Sequence, residues 1–230
     1  MAARVDTILP PLLYRYRRID TEEHFERELD AIRTQSLWFT KFSSMNDPME
    51  GICVPSSRLK RHNNYTRALQ DILDDARQAF GICCFSDTRD NELMWAHYAS
   101  NYAGICVGYR PDRLIKGLAD GVHLLRLSYG NEPPAITEAD MRSVIDTARR
   151  VLSHKKSNWV YEREWRLLGP LGKIHIESKA CARHVYLGSR IRDDYKSRIV
   201  SALKGKPVAV FDMKVSGYSH DWTKIKSIKV

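Results

Sequence analysis

The stretch from Gly81 to Tyr109 constrains the fold more than any other part of the chain. Its ends, Gly81–Phe85 and Gly104–Tyr109, are short apolar runs rich in Ile, Cys, Val and aromatic residues. Runs of that length and composition predict buried strands. Between them Leu93, Met94, His97 and Tyr98 recur at helical spacing, and Asp90 is placed to cap a short helix. Trp95, Tyr98 and Tyr102 stand at i, i+3 and i+7, so rings cover much of that element. Such a density of rings either fills a core or lines a pocket.

The same reading extends along the chain. Leu12–Arg17 predicts a first strand with Arg15 and Arg17 on one face. Asp20 or Thr21 caps a helix through about Arg33, with Phe25, Leu29 and Ile32 inward. Leu37–Lys41 predicts a second strand, running into the turn chemistry of Ser43–Pro48. Residues 63–79 predict a helix, Val122–Tyr129 a strand, and Glu138–Lys156 one long amphipathic helix with Met141, Val144, Ile145, Ala148 and Leu152 buried. Further strands are expected at Ile174–Ile176, His184–Leu187 and Val208–Met213, a helix at Ser189–Leu203, and an edge strand at Ile225–Val230. Uneven helices interleaved with short strands predict an α+β fold with a mixed, largely antiparallel sheet. No repeat or interdomain linker interrupts the 230 residues, which read as a single domain, 1–230.

Five cysteines without metal-type spacing read as reduced, mostly buried thiols of a cytoplasmic protein. No segment has the apolar length of a membrane span, and no secretory run opens the chain, so no membrane partner is expected. The histidines have no ligand-like spacing, so no metal is expected. There is no phosphate-binding glycine-rich loop, which argues against a nucleoside triphosphatase or a dehydrogenase. The formal charge is +9, and it is concentrated: residues 149–230 hold 19 Lys and Arg against 7 Asp and Glu, while residues 1–148 are slightly acidic. That asymmetry points to a polyanion, a nucleic acid or a phosphate-bearing ligand.

The most chemically loaded segment is Trp159–Leu168. If Tyr161–Leu167 is extended, alternation puts Glu162, Glu164 and Arg166 on one face. Such a face either meets water and cross-strand partners or, flanked by Trp159, Tyr161 and Trp165, lines a partly desolvated cleft. The polar loop Ser43–Asp47, straight after a strand, is the other natural place for ligand contacts.

Several motifs carry a resemblance. The Cys-Phe-Ser strand, Asn91-x-x-Met94-Trp95-x-x-Tyr98-Ala99 and Gly104–Tyr109 resemble the bacterial domain of unknown function 2971 family. Leu13–Tyr16, Leu37–Gly51 and Trp159–Leu168 fit it as well. The order Arg15, Ser43-Ser44 and Glu162-x-Glu164 is also similar to the Arg, Ser-x-Ser and Glu-x-Glu layout of mono-ADP-ribosyltransferases. This chain lacks the Thr-Ser that usually follows the serine motif.

The second resemblance implies an NAD-dependent transferase or NAD glycohydrolase. Glu164 would stabilise the oxocarbenium-like centre, and Glu162 would polarise the acceptor. Arg15 would face the pyrophosphate, Ser43, Ser44, Asn46 and Asp47 would form one wall, and Trp95, His97, Tyr98 and Arg166 would complete the site. A role in phage defence or toxin systems goes with that reading. A non-catalytic nucleic-acid-binding module using residues 149–230, or a regulatory partner, is the alternative. The sequence leaves the oligomeric state and the acceptor open.

Overall fold

The computed structural model describes residues 8–61, 65–178 and 180–225. The elements in chain order begin with β1 (Leu13–Arg17), α1 (Glu22–Arg33), β2 (Ser36–Phe39), β3 (Val54–Pro55), α2 (Ser57–Lys60) and α3 (Tyr65–Ala79). There follow β4 (Gly81–Ser86), α4 (Glu92–Tyr98), β5 (Ile105–Tyr109), α5 (Pro111–Gly117), β6 (His123–Arg126), β7 (Ser128–Gly130) and β8 (Ala135–Ile136). The rest are α6 (Val144–Val151), β9 (His154–Lys156), β10 (Glu164–Gly169), β11 (Gly172–His175), β12 (Ala182–Leu187), α7 (Asp193–Ala202), β13 (Ala209–Ser216) and β14 (Ser219–Lys224). The fold is α+β, and most strand pairs are antiparallel.

The chain divides into two compact units. Unit 1 comprises Met1–Leu37, Phe85–Asp120 and Ile174–Val230, and unit 2 comprises Trp38–Cys84 and Gly121–Lys173. In unit 1 the strands run in the order β14-β13-β12-β5-β1. Among the described residues of unit 1, only β12 and β13 pair in parallel. Both predicted runs of the opening stretch are strands, and Trp95 between them is fully buried. Its indole N–H donates to the Arg89 carbonyl at 2.7 Å, and its ring meets Tyr16 edge-on and stacks on Tyr102. The rings therefore fill a core. Gly104 is required there, because a Cβ would come within 2.4 Å of the Arg17 carbonyl oxygen.

Helix α1 matches its predicted span, and Thr21 caps it by accepting from the His24 N–H. The cap of α4 is Asn91, whose side chain accepts from the Met94 N–H, and not Asp90. Asp90 instead accepts a hydrogen bond from the Trp222 indole at 2.7 Å. Leu93 is exposed because the helix turns its Met94–Trp95 side to the core.

In unit 2, β4 neighbours β10, which pairs antiparallel with β6. Helices α3 and α6 pack on one another, and Leu69, Leu73, Ala76, Ala148, Val151 and Leu152 share a core with Leu168. The long helix expected over Glu138–Lys156 is an eight-residue helix with other structure on either side. Thr137 and Asp140 close a local turn through side-chain hydrogen bonds, and Ser143 starts α6 by accepting from the Asp146 N–H. After Leu152 the chain straightens into β9, which pairs in parallel with β7. Side-chain capping by Ser143 and Thr137 competes with continued helix, and it wins here. Val144, expected inward, is exposed at the start of α6. Val122–Tyr129 is divided into β6 and β7, with the Leu127 N–H bonded to the Glu164 carbonyl between them. The expected edge strand at Ile225–Val230 lies beyond the described residues after Ile225, as do residues 63 and 64 of the expected helix.

Candidate functional site

The segment Trp159–Leu168 does not run as one strand. Ser157–Glu162 forms a 3-10 turn, Arg163 takes a left-handed conformation at φ 48°, and only then does β10 begin. This kink brings Glu162 and Glu164 to one ammonium. Lys155 Nζ donates to Glu162 at 2.6 Å and to Glu164 at 3.4 Å. Arg166 grips Glu164 with two hydrogen bonds, at 2.6 and 2.9 Å, and gives a third to the Leu152 carbonyl. The Glu50 carboxylate sits 3.0 Å from Lys155 and 2.7 Å from Arg166, as ionic contacts without hydrogen-bond alignment.

The shared face that alternation predicted for Glu162, Glu164 and Arg166 is thus found, but it is enclosed. No side chain of the five exceeds 5% exposure, so the partly desolvated cleft is a buried ion cluster. Its charges are three carboxylates against two cations. Burial alone pushes the Glu164 carboxyl up; Arg166, its hydrogen bonds and Lys155 overcome that and hold it at about 2. Burial would discharge Lys155, yet Glu164, Glu50 and Glu162 raise it above the ordinary lysine value. Burial and then Glu164 push the Cys84 thiol well up. The Lys155 ammonium also lies 4.7 Å from the Trp159 ring centroid.

The other expected site residues have varied surroundings. Ser43 and Ser44 are exposed in a 3-10 turn of unit 2, and Asn46 is exposed beyond it. Asp47 is buried, with one oxygen accepting from the Met49 N–H. Arg15, Trp95, His97 and Tyr98 belong to unit 1. There Arg15 is buried on β1, His97 is exposed and Tyr98 is half-buried.

Unit 1 holds a different feature. A groove of about 400 Å³ between the end of α7 and the β12–β13 pair is lined by Arg183, Lys204, Lys206 and Lys224, with His184 and Phe211. No carboxylate lines it. Among the described residues none of these four cations enters an ion pair. Burial, then the neighbouring Arg183, Arg89 and Lys224, push the His184 imidazole below its ordinary value.

Residues 94–167 match the family described as Protein of unknown function (DUF2971). The DUF2971 resemblance is borne out over this segment. The segment contains Trp95, Lys155, Glu162, Glu164 and Arg166. Glu50 lies outside it, as do the lysines of the groove. No curated protein and no solved structure gives a match.

Glu50 and Lys155 join the cluster without a sequence motif that groups them with Glu162-x-Glu164. The helix expected over Glu138–Lys156 takes in Lys155, although the polar run Ser153–Asn158 has no apolar period to sustain a helix. The groove cations come from three separate elements, and spacing along the chain carries no signal of that convergence.

Proposed function

We propose that the chain is a nucleic-acid-binding protein that holds phosphates in the basic groove of unit 1. The observation that carries this reading is the lining: four cations without carboxylates and without ion pairs among the described residues. Cations left uncompensated on a concave wall favour a polyanion, which gains by releasing its counterions. Lys155 has no part in this reading, since its ammonium is buried among carboxylates. The test is fluorescence anisotropy with random-sequence single-stranded and duplex oligonucleotides at low and rising salt. Binding that weakens steeply with salt, and is lost when Lys204 and Lys206 are changed to Glu, supports the reading. Salt-insensitive binding, or none at low salt, removes it.

A second reading rests on the convergence of Glu162 and Glu164 at Lys155, which with Lys156 also lines a smaller groove of about 150 Å³. It is NAD-consuming glycosyl transfer or hydrolysis, and it requires the enclosed Glu164 carboxylate to open toward that groove, where it would stabilise the positive centre as nicotinamide leaves. Nicotinamide release, with and without a nucleic-acid or protein acceptor, tests it. Glu164→Gln should lower the rate about 10²–10³-fold. An unchanged rate discards it.

A further inference from the structure

Unit 2 carries a groove of about 520 Å³ that neither reading above uses, between the 3-10 turn after β2 and the last turns of α3. That volume is within the range of small-molecule sites. Its walls are chemically divided. Phe42, Phe80 and Leu171 supply apolar surface, and Lys41, Ser43, Asp74, Arg77 and Gln78 supply polar groups, with the Asp74 carboxylate paired to Arg77.

The two cations differ in how they are held. Arg77 is neutralised and fixed: it bonds Asp74 at 2.9 Å and the Gly51 carbonyl at 2.8 Å, with its guanidinium 5.9 Å from the Phe42 centroid. Gly51, at φ +68°, lets the Phe42 ring lie so close that a Cβ would meet it at 2.6 Å. The ring is therefore part of a rigid wall. Lys41 is different, because among the described residues it enters no ion pair. One uncompensated ammonium, with the Ser43 hydroxyl two residues on, stands beside a fixed aromatic face.

We propose that this groove binds a small planar aromatic molecule carrying one anionic group. The ring rests against Phe42 and Phe80, and the anion meets Lys41 and Ser43. A polyphosphate would bring several charges to a site with a single uncompensated cation, so the ligand class is the aromatic monoanion, such as a carboxylate or sulfonate.

The test is a fluorescence titration of the full chain with anilinonaphthalene sulfonate, with naphthoate and ATP as competitors. Lys41→Glu should weaken probe binding about fivefold or more, the effect of about 1 kcal/mol at a partly exposed charge contact. Circular dichroism should confirm that this surface variant is folded. Naphthoate should displace the probe and ATP should not. The Lys204→Glu/Lys206→Glu variant should bind the probe like the parent, which separates this site from the basic groove. Absence of probe binding, equal affinity in Lys41→Glu, displacement by ATP in preference to naphthoate, or loss of binding in the Lys204/Lys206 variant would each overturn the proposal.

Discussion

The Lys155 ammonium lies 2.6 Å from a Glu162 carboxylate oxygen, and neither side chain exceeds 4% exposure. A pair so enclosed has given up its hydration. Its attraction is therefore set against a desolvation penalty, and its removal is felt chiefly through the partners left behind.

Replacing Lys155 by Met should accordingly destabilise the protein by about 3–5 kcal/mol, because Glu162 loses the Lys155 ammonium and Glu50 and Glu164 are left to share Arg166 in a dry interior. Urea denaturation measures this. A loss below about 1 kcal/mol, the range of surface pairs, would mean that water reaches the cluster.

Acid should act through the same cluster. The Glu164 pKa is held at about 2, below the ordinary 4.5. A depressed carboxyl contributes stability that is complete above the ordinary value and is lost as pH falls toward the folded value. Unfolding free energies of the parent and Glu164→Gln, measured at steps from pH 6 down to about 2, should converge as pH falls. A constant gap across that range contradicts the assignment.

Trp95→Ala should cost about 3–5 kcal/mol, the usual range for removing a large buried aromatic. The ring is fully buried, and the Arg89 carbonyl would lose its indole donor. A thermal or urea midpoint close to that of the parent would show that the ring is not part of a packed core.

In the groove of unit 1, neutralising Lys204 or Lys206 singly should weaken oligonucleotide binding alike for all sequences. Each should reduce the slope of log K against log salt by about one. An unchanged slope with weaker binding would place those lysines away from the phosphates. Lys155→Met, wherever it remains folded, should leave the slope untouched, since its ammonium faces carboxylates.

Much of the fold was legible because local signals and tertiary packing agree. Thr21 caps α1 where the sequence places it, and the Ile, Cys and Val runs on either side of Trp95 are buried strands. The misreadings fall where a polar side chain competes with periodicity. Apolar spacing predicted helix through residue 156, but Ser143 starts that helix late, and after Leu152 the chain turns extended. Alternation found the common direction of Glu162, Glu164 and Arg166, yet it rested on a continuous strand. The chain reaches the same result through a left-handed Arg163, a conformation that residue type does not announce. Burial of the cluster was not legible, because Glu50 reaches it from far along the sequence. The groove in unit 1 was foreshadowed only as an excess of basic residues, since charge counts carry no shape.

The discontinuous make-up of unit 1 has a consequence for how the protein comes into being. Strand β5 is bordered on one side by β12, whose residues are 182–187. During synthesis from the N-terminus, that border of β5 stays open until residues 182–187 have emerged. An apolar strand with unpaired backbone groups is a template for wrong pairing. The order of translation thus leaves a window in which crowding and temperature set the yield of folded protein, and a slowed ribosome between codons 110 and 182 would widen it.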